Sequence, residues 1–460
     1  MHRHQGPPPA DVTADTERGS LSRRRALLAG AVGAVGIGAA AGPLAFADRA
    51  SAAGAGDDPY SVDVISKGAD PTGKTPSDAA FRAAAADVLA SFQPGPISGA
   101  IPKRVIVIPP GNYLLTQPDS LLPNVDGSTS GGIVDGIAIT GYGKRLSRIT
   151  YSPSANDTTL WTNNQRYKNI RISGLTFTST NATSSFNYAY SSAAVGVQDT
   201  WYTDVEWRGA WTRAIGLDGP NPSSNLNSEM GWDHCQVGGS YSDAFLVVGM
   251  TPGVSQQDQF LNYWFRDCKV EFSSGVFVKN KRGGSMNFTG GSYIITDTQS
   301  TSTFFQLTAD APSRNDSAMR LYAQGIRFEI RADTHKVIDS NWYKGTITFV
   351  SCDDTSQSFR DWAAGALSHQ YAFTLSGSRG PMVRYVDCAL MGYHHIVTAA
   401  TAMTAGKVLY DGCRLFNQSA GTGDSGFLRW EEQGVSHATP RYEFRDCLGG
   451  AVYLPDDKAG

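Results

Sequence analysis

The chain has 460 residues, 18% of them charged, with 50 glycines and a formal net charge of -3. That length supports one large elongated domain or several compact ones. The near-neutral charge, with no arginine-rich run outside the N-terminus, argues against nucleic acid as a partner. The glycine content and the lack of any heptad or helical repeat point to many short strands joined by turns.

Residues 1–20 are polar and carry prolines, the composition of a disordered start. Ser22-Arg23-Arg24-Arg25-Ala26-Leu27-Leu28 then opens an Ala/Gly-rich apolar run to Phe46, and Ala45-Phe46-Ala47 and Ala50-Ser51-Ala52 fit a signal-cleavage site. The stretch resembles a bacterial twin-arginine export signal, which is a receptor-read address and not an anchor. Its glycines and Pro43 disfavour lasting membrane insertion, and no second apolar span of that length follows. The expectation is that residues 1–52 are disordered start and signal, and that the mature product is secreted with no stable membrane span.

Residues 57–115 follow as a unit. Residues 60–67 read as a strand and Gly68-Ala69-Asp70-Pro71 as a turn; Thr75-Pro76-Ser77-Asp78 carries the start signals of a helix. The helix is predicted over residues 79–92, with Phe81, Val88, Leu89 and Phe92 on its apolar face. Two strands around Pro109-Pro110-Gly111 come next. The segments "VDVISKGADPTGKTPSDAAFRAAAADVLA" and "RVIVIPPGNYLL" resemble the opening of the pectate-lyase-like superfamily of right-handed parallel β-helices. In that family the helix plugs the open end of the solenoid. The resemblance implies an all-β, right-handed, single-stranded parallel β-helix with an N-terminal capping helix. The sequence departs from the family opening by a lost glycine near Gly68 and by Thr75-Pro76-Ser77 where an acidic pair is usual.

Residues 116–460 carry the laps. Residues 137–141, 170–177 and 203–207 alternate apolar and polar positions as strands do. The Ser/Thr/Asn-rich segments 150–168, 178–194, 219–230 and 296–302 read as loops bulging from the solenoid. The clearest repeat is Gly-Trp-Asp-His-Cys-Gln-Val at residues 231–237, answered one lap later by Trp-Phe-Arg-Asp-Cys-Lys-Val at residues 264–270. Cys352, Cys388, Cys413 and Cys447 mark further copies, giving roughly a dozen laps of about 25–35 residues. All six cysteines thus fall in one kind of position, predicted to point inward as free thiols. No C-x-x-C or zinc-type pairing of Cys with His is present, and His394-His395 is read as one inward and one outward ring.

Stacking the second strands of successive laps predicts a site. Arg213-Ala214-Ile215-Gly216-Leu217-Asp218 is placed under residues 243–248, and those under residues 274–279. On that register Arg213 neighbours Asp243, and Asp218 and Lys279 are two rungs apart, about 10 Å. The columns face outward, alternating with buried Ile215/Leu217, Phe245/Val247 and Val276/Val278. A hydrolase uses two carboxylates, and Asp243 is the first candidate, with Asp218 or Asp233 as partner; the alternative is that Asp243 caps the turn before its strand. A lyase uses a base beside a uronate carboxylate and cations to hold the developing charge, for which Lys279, Lys281, Arg282 and Arg213 are candidates. Asp233, Asp267, Asp387 and Asp446 precede cysteines in separate laps, the behaviour of a turn element. Trp201 and Trp211 fall near strand ends, where their rings can stack on sugars or pack under a loop.

In the polygalacturonase-like members of the family, catalytic aspartates lie on or beside these strands. Here their paired aspartate is Ser242-Asp243, their Gly-His-Gly and Arg-Ile-Lys motifs are missing, and Lys279-Asn280-Lys281-Arg282 only echoes the latter. The expected function is cleavage of an extracellular polysaccharide, with hydrolysis preferred over elimination; a non-catalytic carbohydrate-binding or adhesion β-helix is the alternative. No cofactor or metal is expected, save calcium if the protein is a lyase. The expected partner is the polysaccharide, the expected state a monomer or homotrimer.

Overall fold

The computed structural model describes residues 58, 60–90, 104–125, 133–190, 197–219, 227–250, 260–308, 319–332, 334–356, 370–375, 379–390, 393–398, 407–415, 428–434, 442–448 and 451–453. The export signal expected in residues 1–52 lies outside them. Residues 57–460 form one compact unit, and its described strands coil as the expected parallel β-helix. Its connections take the right-handed sense that parallel crossovers favour.

Each lap contributes to three faces. The first face is a 13-stranded sheet from Ser61–Asp63 to Tyr442–Arg445, paired in parallel throughout. After it the chain bends into a second face, turns a corner into a third, and returns. One hydrophobic core runs inside, from Val62 to Leu415. Aromatic residues stack there lap upon lap: Tyr202 on Trp232 at 5.6 Å, Trp232 on Phe265 at 4.2 Å, and Phe265 on Phe288 at 4.9 Å between ring centres. Parallel in-register strands place like residues one above the other, so rings in equivalent positions meet face to face.

The bend between first and second faces recurs with one conformation. Gly174, Asp204, His234, Asp267, Gly290, Gly325, Ser351, Asp387, Gly412 and Asp446 all have φ between 48° and 66°. Glycine and aspartate dominate because glycine has no Cβ to clash and aspartate tolerates the left-handed region better than most residues. From Gly174 to Gly412 each bend N–H donates to the next lap, as His234 does to the Arg266 carbonyl at 2.9 Å and Asp267 to that of Thr289 at 2.8 Å. The residue after the bend points inward, which is where the cysteines lie. Cys235, Cys268, Cys352, Cys388 and Cys413 are buried, Cys447 less so, and all six are free thiols. The structure separates Asp233 from the other pre-cysteine aspartates. It is the last residue of strand Met230–Asp233 and is in register with Arg266, while His234 takes the bend.

The helix spans Asp78–Ala90, with residues 91 and 92 outside the described residues. Ala80, Phe81, Ala84, Ala85 and Val88 are buried in the same core as Val62 and Val64 of the first rung, so the helix covers that open end. Asp78 fixes its start. Its buried carboxylate accepts the N–H groups of Thr116 and Gln117 and the hydroxyls of Thr116 and Ser120, at 2.6–3.1 Å.

Three of the expected loops contain strands. Thr159–Asn164 and Ser185–Tyr190 pair in parallel and belong to the third face. Their Ser, Thr and Asn residues mask an inward set of Leu160, Trp161 and Phe186, all fully buried. Residues 296–302 form a turn as expected, and 219–230 includes the short strand Asn227–Ser228. No helix among the described residues is long and apolar enough to cross a membrane.

Candidate functional site

The three long strands Glu206–Asp218, Gln236–Val248 and Lys269–Asn280 each run from the second face across the corner into the third. The first two stay in register to Trp211↔Tyr241, but beyond the corner Arg213 faces Ala244. Between the second and third strands Ser240 pairs with Ser274 and the next pair is Ala244 with Val276. Asp243 therefore sits in a bulge, outside both ladders. An extra residue in one strand bends it and re-aims the side chain. The expected direct facing of Arg213 and Asp243 is corrected by one residue, because the bulge consumes it.

The bulge nonetheless brings the expected charges together. Asp243 Oδ1 accepts from Lys279 Nζ at 2.9 Å, and Oδ2 lies 3.4 Å from both Nε and Nη2 of Arg213. The Asp243, Arg213 and Lys279 side chains are 22%, 26% and 27% exposed, so water reaches the group. It combines a carboxylate with a cation from the lap on either side.

Asp218 and Lys279 do not share a column. Lys279 is in register with Val247 and Gly216, two positions before Asp218, because crossing the corner moves each of the two ladders by a net one residue. The same shift puts Val276, half-buried, in the column of Arg213 and Ala244, and aligns Val247 with Lys279. Phe245, expected inward, is inward, and its neighbour Leu246 is buried as well, in register with the buried Ile215 and Val278. Asp218 is only 3% exposed, and its Oδ1 accepts the Gly219 N–H at 3.0 Å. Tyr188, on the adjacent lap opposite Gly216, stands in the field of this patch. Burial pushes its phenol up, the charge of Asp218 and the neighbouring Tyr190 add to this, and Arg213 opposes it. The sequence reading missed Tyr188 because it took its strand for a loop; the alternating Phe186-Asn187-Tyr188-Ala189-Tyr190 was the available signal.

The other candidates scatter. Asp233 belongs to the first face, where its Oδ1 lies 3.3 Å from His234 Nδ1, so it is not a partner of Asp243. Arg282 is 2% exposed and packs across Gly249, where a Cβ would meet its Cγ at 2.1 Å. It is not a solvent-facing cation. Lys281 is half-buried beside it, while Asn280 points inward and its Oδ1 accepts the N–H groups of Arg282 and Gly283. Trp211 is 1% exposed, stacked on Tyr151 inside the core, with Nε1 donating to the Arg208 carbonyl, so its ring offers no sugar platform. Trp201 is half-buried on the outside of the first face. His394 is buried against Tyr371 and bonded to Tyr410, and His395 is half-buried, the expected inward and outward pair. No cluster of three or more metal-ligating side chains occurs among the described residues.

A scan against protein-family models finds no match, and neither does a search of curated proteins. Solved structures similar to the chain include the catalytic unit of a thermostable GH87 alpha-1,3-glucanase from Streptomyces thermodiastaticus. It has 13% identity and a TM-score of 0.45 over 88% of this chain and 70% of that one. The A-module of the Azotobacter vinelandii mannuronan C-5 epimerase AlgE4 is similar at 13% identity and TM-score 0.40, over 86% of this chain and 97% of that one. The enzymatically active domain of bacteriophage CBA120 tailspike protein 4 is similar at 12% identity and TM-score 0.42, with 86% of this chain and 45% of that one covered.

Proposed function

We propose that the chain is a secreted carbohydrate-active enzyme that cleaves a polysaccharide on the outer surface around Asp243, by hydrolysis in preference to elimination. The observation that carries this reading is the bulged Asp243 held between Arg213 and Lys279 on the water-facing side of the coil. Hydrolysis of a glycosidic bond needs two carboxylates, one to protonate the leaving oxygen and one to activate water or attack. Asp243 is assigned the second role, since its oxygens are already fixed by two cations. Neither expected partner fits the first role, since Asp218 is 3% exposed and Asp233 lies on another face, so the proton donor lies outside the residues singled out in the sequence. An open face along stacked laps suits a long polymer, because its rungs repeat about every 4.8 Å along the coil.

Elimination is the second reading, favoured by the same pair of cations. Arg213 and Lys279 would hold a uronate carboxylate and stabilise the charge developing beside it. A calcium requirement belongs to that reading alone, and its test is loss of activity on chelation. Export through the twin-arginine route is part of the proposal and rests on residues 22–47 of the sequence.

The test is incubation of the purified protein with neutral and uronic polysaccharides, reading reducing ends and the ultraviolet absorbance of unsaturated products. Reducing ends without unsaturation are expected; unsaturated products would replace hydrolysis by elimination. Asp243→Asn should lower cleavage by at least 100-fold, a typical contribution of a positioned acid or base, with unchanged thermal unfolding. An active Asp243→Asn variant would remove this residue from the site.

A further inference from the structure

A second surface stands apart from the Asp243 patch, on the outside of the first face. One register column there carries Trp201, Gly231, Trp264, Asn287, Tyr322 and Thr348 on successive laps. The Trp201 and Trp264 rings lie 5.7 Å apart and 14° from parallel, with Gly231 between them in the column. A Cβ at residue 231 would come within 2.2 Å of the Trp201 ring, so the pair exists only because that position is glycine. Glycine inside a strand weakens it and marks a place where another group must approach closely.

The first indole is also locked. Trp201 Nε1 donates to the Asp199 carboxylate at 2.9 Å, Arg171 pairs with the same carboxylate at 3.0 Å, and the Arg266 guanidinium stands 5.2 Å from the ring centre. Ring orientation is thus set before any ligand arrives, which lowers the entropy lost on binding. Beyond Trp264 the column offers the Asn287 amide and then Tyr322, two rungs on at about 10 Å. The Tyr322 hydroxyl donates to Gln324 at 3.0 Å. From Trp264 to Thr348 the column holds rings, an amide and a hydroxyl, with no charge and no aliphatic side chain.

That chemistry selects among occupants. A protein partner or a second copy also uses Trp and Tyr, but sets them in an apolar centre of further packed side chains, and from Trp264 to Thr348 the column adds no aliphatic one. Nucleic acid needs cations along a backbone track, and the column is uncharged over these laps. An uncharged sugar chain presents C–H faces to aromatic rings and hydroxyls to amides, and its length can follow the rungs. We propose that the outer first face, with Trp264 and Tyr322 as its rings and Asn287 and Gln324 as its amides, is a second binding site for an uncharged polysaccharide. The inference rests on the proposed function only for the class of polymer.

The experiment is native affinity electrophoresis of the full chain in gels containing soluble β-glucan, α-glucan or xylan, run beside the reducing-end assay. The protein is expected to be retarded by at least one of these. Trp264→Ala combined with Tyr322→Ala should weaken that retardation at least tenfold, and Gln324→Ala, a change at an exposed side chain, should weaken it several-fold with unaltered unfolding. Loss of retardation in a preparation that cleaves nothing would support this site and reject the proposed function. Cleavage with unchanged retardation in both variants, or no retardation of the parent protein by any glycan, would overturn the site and leave the proposed function standing or falling on its own assay. A change of oligomeric state in the double variant, read by sedimentation, would also overturn it, since the face would then join two copies.

Discussion

At the scale of single residues, the candidate site and the core make opposite use of carboxylates. Asp243 is reached by water and paired with two cations. Removing one cation should show which of them the reaction needs: Lys279→Met is expected to lower the cleavage rate more than Arg213→Met, because its contact is shorter, 2.9 against 3.4 Å. The steady-state rates of the two variants check it. Asp354 is the reverse case, buried in the core with Tyr371 donating to Oδ2 at 2.8 Å. Burial pushes its carboxyl from an ordinary 3.8 up to about 7, the Tyr371 bond opposing this and the Asp353 charge adding to it. The folded state therefore holds a proton that the unfolded state releases above 3.8, and stability falls as pH rises between those two values. The slope for one proton is at most about 1.4 kcal/mol per pH unit. Denaturant midpoints measured across this window should decline with rising pH and flatten above it, and Asp354→Asn should remove the decline. The charge patch was legible in sequence as residue types. The inward position of Asp354 follows by alternation from inward Cys352, as that of Val237 does from Cys235, but its acidic side chain argues for solvent and hid it.

At the scale of elements, the bends and corners carry the constraint. The left-handed bend between first and second faces was legible, since Gly or Asp stands at eight of its ten described copies. The corner between second and third faces was not. There Gly209 and Gly239 have φ of 79° and 82°, and a Cβ on Gly239 would lie 2.1 Å from the Gly209 carbonyl oxygen. Gly239→Ala should therefore destabilise the protein by about 1–3 kcal/mol from backbone strain alone, with the clash adding to it. Gly325, with a φ of 64° and open space around it, is the control: Gly325→Asn should change stability by less than about 0.5 kcal/mol. Urea unfolding of the two variants compares them. The same corner holds the bulge at Asp243. A count of residues between laps misplaces the register there, because one strand carries residues that its neighbours lack.

For the whole compact unit, stability is a sum over stacked laps and a covered end. The cap helix packs Phe81 edge-on to Tyr113 at 5.7 Å, over the first rung. Phe81→Ala should cost about 3–5 kcal/mol, and hydrogen exchange should rise first in residues 61–63 and 105–108, the rungs beneath the helix. Equal protection of those strands in both proteins would show that the helix is not what closes this end. Cross-links contribute nothing, as the six thiols are free. Addition of a reductant should leave the unfolding temperature unchanged, and a lowered temperature would reveal a disulfide.

The lap, its inward cysteines, its bends and its capping helix were readable from the order of residues. Each depends on alternation, on a residue that tolerates positive φ, or on a helix start signal, and all of these act over a few neighbours. Which residues meet on the outside was settled by stacking instead. Asp243 reaches Lys279 from a bulge, Trp201 reaches Trp264 over a glycine, and Trp211 and Arg282 withdraw from solvent. Every one of those outcomes depends on the register between segments roughly one lap apart, and a single extra residue at a corner changes it.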